Sequence, residues 1–138
     1  MSVPVPMSPA ELLGAAKDLC RRPGTATAGL WPRAAALLAR QALESALGSY
    51  WAAASLAALS GCPMRTQLAC LWEIAGREVA GPVSSAWAAL SSACHLHPYE
   101  LAPTAPELLS WVQAAEGFCE QWSGAGRTGA DYGTSPGT

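Results

Sequence analysis

Apolar residues recur along most of this chain at helical three-to-four residue spacing, and nowhere do they alternate as in a strand. The first such run opens at Ser8-Pro9-Ala10-Glu11. A capping serine, a proline at the first helical position and a glutamate three residues on form a capping box. Leu12, Leu13, Ala16 and Leu19 follow, and Pro23-Gly24 stops the run. The Pro, Gly and Thr content of residues 23–29 reads as a loop.

The longest pattern predicts a second helix from about Trp31 to Leu59. On it Ala35, Leu38, Ala39, Ala42, Leu43, Ala46 and Tyr50 form one stripe, with Arg33, Arg40, Gln41, Glu44 and Ser45 on the other side. Leu47 and Trp51 fall outside the stripe and leave a second apolar edge. That edge suits either another neighbour inside the bundle or a second subunit. After the break at Gly61-Cys62-Pro63, a third helix is expected over Met64–Ala75, ending at Gly76. A fourth is expected from about Glu78 to His97, with Val79, Val83, Ala86, Trp87, Leu90, Ala93 and Cys94 on its apolar face. Thr104-Ala105-Pro106-Glu107 is a second capping box and starts a fifth helix, ending near Trp122. Its core-facing candidates are Leu108, Leu109, Val112, Ala115 and Cys119.

The fold class expected is therefore all-α, a single-domain bundle of about five helices spanning residues 8–122. Residues 1–7 and the Gly/Ser/Thr-rich tail 123–138 read as disordered. Alanine dominates the 51% hydrophobic share, which suits close helix packing. Charged residues are 13% and the net charge is −2, so no large basic field is available to hold a long nucleic acid. No uninterrupted apolar run approaches the roughly 18 residues of a membrane span. The start, MSVPVPMSPAE, lacks the basic and apolar regions of a secretory signal, and a cytoplasmic location is expected. Five cysteines are an odd count and form no CxxC pair. They read as small buried apolar residues rather than a disulfide framework or zinc site.

Candidate chemistry concentrates in WAALSSACHLHPYEL, Trp87 to Leu101, which holds both histidines. His97 falls on the apolar face of the fourth helix and His95 opposite it, beside Ser84, Ala88 and Ser91. Pro98 disfavours helix at His97, so both histidines belong to the last turn. A protonated imidazole interacts well with the negative helix end there. Two side chains at i and i+2 point about 200° apart, so the pair cannot share one metal while the helix holds. No metal and no cofactor are expected. P-loop, dinucleotide-binding and Gly-x-Ser-x-Gly signatures are missing. Tyr99 and Glu100 suit a turn anchor, Tyr99 by packing and Glu100 by accepting backbone N–H bonds. Trp87 and Trp111 read as core residues ahead of base-stacking platforms.

A long second helix bearing ARQALESAL, an aromatic-rich fourth helix and the segment CHLHPYELAPT together resemble a small actinobacterial family of the HEPN superfamily (higher eukaryotes and prokaryotes nucleotide-binding). The likeness runs from about Leu12 to Trp122 and is best over Ala34–Trp51 and Trp87–Trp111. It implies a four- or five-helix bundle, a homodimer, and metal-independent RNA cleavage in stress response or toxin–antitoxin defence. The family's motif is an arginine followed after four to six residues by a histidine, with the histidine moving a proton and the arginine holding phosphate charge. The histidine carries over best to His97, with His95 as the second candidate. Ser92 stands where the tightest spacing requires arginine, and Ala88, Ala89, Leu90 and Ser91 fill the other positions. Arg65 or Arg40 would have to replace it. Two functions follow: an RNA- or nucleotide-directed HEPN protein with weak or lost ribonuclease activity, or a non-catalytic module binding a protein partner or nucleotide through the His95–Glu100 corner.

Overall fold

A computed structural model describes residues 7–22, 29–95 and 100–128 of the 138-residue chain. Those residues are helical with no strand: α1 (Pro9–Arg21), α2 (Trp31–Ala53), a 3₁₀ helix (Ala57–Gly61), α3 (Met64–Ala75), α4 (Arg77–Cys94) and α5 (Ala105–Thr128). None of these helices is long and apolar enough to cross a membrane.

Both N-terminal caps form. The Ser8 hydroxyl accepts from the Glu11 N–H at 3.2 Å, and Thr104 accepts from the Glu107 N–H at 3.3 Å. Each satisfies one of the donors a helix start leaves unpaired. Helix α2 runs through the middle of the bundle and packs against α1, α4 and α5, and α5 also meets α1 and α4. Ala35, Ala39, Ala42 and Ala46 are buried along α2, and their small side chains let three neighbours approach one axis. Leu43 and Leu47 fill the wider gaps, with Leu13, Leu90, Leu108 and Val112 from the other helices. One end of the bundle closes on an aromatic cluster. Tyr50 stands edge-on to Trp51 at 5.0 Å and to Trp122 at 4.4 Å, with Phe118 beside them.

Several expectations are corrected. Helix α2 ends at Ala53, six residues before Leu59. Ser55 turns left-handed at φ 60°, its N–H bonds the Ala52 carbonyl at 3.3 Å, and the Leu56 N–H bonds the Trp51 carbonyl at 2.7 Å. This is a Schellman closure with serine where glycine is usual, so the sequence carries no glycine to mark it. Leu47 and Trp51 are both fully buried inside one chain, so the second apolar edge faces internal neighbours and gives no argument for a second subunit. Helix α4 stops at Cys94, and α5 continues past Trp122 to Thr128. Pro82 sits inside α4 on an exposed surface, where the bond it cannot donate is lost toward water. Cys20 and Cys119 are buried as expected, whereas Cys62, Cys70 and Cys94 are only partly so.

Candidate functional site

The corner between α4 and α5 is built by two local signals. The last turn of α4 unwinds at His95, whose φ of −114° is no longer helical and whose N–H reaches the Ser92 carbonyl at 3.1 Å. The Thr104 cap then starts α5, and residues 101–104 before it lie outside any helix. Between them lies a cleft of about 550 Å³. Ser92, Glu100, Thr104 and Glu107 supply its polar groups, and Leu101 and Trp111 line its apolar side.

The sequence-derived candidates separate in space. Ser92 and Glu100 meet in this cleft, and both are exposed. His95 is exposed at the end of α4. His97 and Tyr99 lie outside the described residues. Arg65 is exposed in the first turn of α3 and does not line the cleft. Arg40 belongs to the α2–α4 seam. Its guanidinium lies 4.6 Å over the Trp87 ring, and one nitrogen stands 3.9 Å from Glu44. Arg40, expected opposite the main α2 stripe, is half-buried there. The Arg40 Nε is buried with no partner, as is the hydroxyl of Ser91. Trp87 precedes His95 by eight residues, about 12 Å along the axis. Arg40 stacked on Trp87 is therefore two turns away from the histidine corner.

Sequence reasoning misses Glu107, Thr104 and Leu101 as parts of a site, and it places Trp111 in the core first. The capping box explains Thr104 and Glu107 as a helix start, which hides their place at a cleft. Leu101 is 96% exposed, and the only signal for it is a leucine in a polar, proline-bounded connection. Gln67 also escapes a reading of the sequence. It is buried on the inner face of α3, accepts from the Trp51 indole N–H at 3.0 Å, and donates to the Cys62 carbonyl at 2.8 Å. Its sequence signal is a glutamine spaced with Met64, Leu68 and Leu71 on one helical face.

The buried thiols are not nucleophiles. Burial pushes the Cys119 thiol up to about 11, and Glu116 and Glu120 push it the same way. Burial also raises Cys20, against the lowering effect of Arg21. Both stay protonated near neutrality, and only the thiolate attacks. Among the described residues, no three His, Cys, Asp or Glu side chains cluster to hold a metal ion. The chain matches no protein-family model, no curated protein and no solved structure.

Proposed function

We propose that this chain is a non-catalytic helical interaction module whose α4–α5 cleft receives a basic segment of a partner protein. One observation carries the reading. The described residues lining the cleft include two carboxylates, Glu100 and Glu107, and no cation. A lysine or arginine side chain suits such a lining. Its charged head pairs with carboxylates, its stem packs on Leu101, and its cation lies against Trp111. A phosphodiester would meet like charge.

The HEPN resemblance supports this reading as a member of that superfamily without nuclease chemistry. Ser92 offers no guanidinium, and neither Arg40 nor Arg65 lines the cleft. A homodimer rests on the resemblance alone.

The test is calorimetric titration of the full chain with an arginine- and lysine-rich peptide. Binding is expected to weaken strongly when salt is raised, because the contacts are between exposed charges. Glu100→Gln with Glu107→Gln should weaken it by about tenfold, a loss of roughly 1.4 kcal/mol. Glutamine still serves at position 107 of the cap. Arg65→Ala should leave binding unchanged. RNA cleavage by the unaltered chain, abolished by His97→Ala, would overturn the reading in favour of a ribonuclease.

A further inference from the structure

We infer that residues 56–75, the 3₁₀ helix with α3, form a strap that opens as a unit while the four helices α1, α2, α4 and α5 stay folded. The segment is bounded at both ends by left-handed backbone, Ser55 at φ 60° and Gly76 at φ 86°. Such residues are abrupt direction changes between rigid helices, and they place the two hinges at the ends of the segment. Between the hinges only Gln67 and Leu71 are buried. Helix α3 packs mainly on α4, and the 3₁₀ helix on α2.

The fastening is polar. The Gln67 Oε1 accepts from the indole N–H of Trp51, a side-chain bond that crosses from strap to core away from the hinge. The Gln67 Nε2 donates to the Cys62 and Ser60 carbonyls at 2.8 and 3.4 Å, which shapes the strap itself. Beside this clasp lies a cleft of about 230 Å³ between Glu44 and Gly48 of α2 and Ser60, Cys62, Met64 and Gln67 of the strap. A polar space of that size admits several water molecules. The seam therefore has room for water, unlike the alanine–leucine contacts of the core. Water entering this cleft can take over the donors and acceptors of Gln67 when the strap lifts. Trp72 and Ile74 are 43% and 51% exposed, so about half of their surface adds nothing to the attachment.

Lifting the strap separates Leu71 and the half-buried Leu59, Met64 and Leu68 from the bundle, and uncovers the indole edge of Trp51. A 12-residue helix detached from the bundle does not hold its own hydrogen bonds in water, so opening exposes the α3 amides, costs less than global unfolding and is read residue by residue in native-state hydrogen exchange.

The experiment is hydrogen exchange of the full chain through a series of low denaturant concentrations. Amides of residues 68–75 are expected to exchange through openings about 100-fold more frequent than those of residues 35–47, with a shallower denaturant dependence. Gln67→Ala removes the clasp and leaves the Trp51 N–H unpaired, so it should speed strap exchange by about 5–100-fold and leave residues 35–47 unchanged. Leu71→Val should act in the same direction with a smaller effect. Exchange of both segments at one opening frequency and one denaturant dependence in the unaltered chain would overturn the inference. So would equal acceleration of strap and core by Gln67→Ala.

Discussion

Apolar residues make up a similar share of helices α2 and α3, and yet the fates of the two helices differ. Ten of the 23 residues of α2 are buried, against two of the twelve in α3, one of them glutamine. The difference lies in the phase of the pattern. In α2 the apolar positions hold one stripe and its adjoining edge along the whole helix, and three neighbours cover them. In α3 the inner line of Met64, Leu68 and Leu71 is flanked on both sides by Trp72 and Ile74, which one neighbour cannot cover together. Apolar content states how much surface a helix would hide; its angular spread states how much it can hide.

The contrast breaks most visibly under truncation. Leu43→Ala, in the middle of α2, should cost about 2–5 kcal/mol of global stability, and Ile74→Ala in α3 no more than about 0.5. Urea unfolding of both variants checks this, and equal losses would erase the distinction between core and strap. Gln67→Ala comes next. An unpaired indole N–H on Trp51 should cost about 1–3 kcal/mol of local stability at the strap.

A smaller effect sharpens the junction between the two regions. Ser55 occupies left-handed backbone, which disfavours a side chain by about 1–2 kcal/mol, and glycine gives back part of that as chain entropy. Ser55→Gly is therefore expected to raise the thermal midpoint by up to a few degrees, with a net gain below about 1 kcal/mol. A lower midpoint would mean that the serine hydroxyl makes a contact worth more than the backbone relief.

A further effect in the core appears only in alkali. Cys20 and Cys119 are core thiols raised above their ordinary value of 9.0, Cys119 to about 11. The folded state then favours the neutral thiol more than the unfolded state does. That stability is fully present below the unfolded value and is lost as pH rises from about 9 toward 11. A Cys20→Ala, Cys119→Ala chain should show a flatter decline over that window in denaturant titrations.

Much of the frame is legible in the sequence because its signals are local. Ser8 with Glu11 and Thr104 with Glu107 mark helix starts, and both caps form. The α2 stripe marks the face that is buried. The end of α2 is not legible, since Ser55 takes a glycine's role and no glycine marks the turn. Leu47 and Trp51 can be placed on an edge, but a helical wheel does not say which neighbour meets that edge. The site is legible in part. The Ser92 and Glu100 positions converge, with Leu101 beside Glu100, while Trp111 joins them through the packing of α5 against α4, which no spacing along the chain encodes.

The central claim is that the α4–α5 cleft takes positive charge and not phosphate. It is tested most directly by following the indole resonance of Trp111 during two titrations of the full chain, one with an arginine- and lysine-rich peptide and one with single-stranded RNA. The account predicts that the peptide shifts Trp111 while the Trp72 indole on the strap stays still, and that RNA moves neither. A Trp111 shift with RNA and none with the peptide would contradict it.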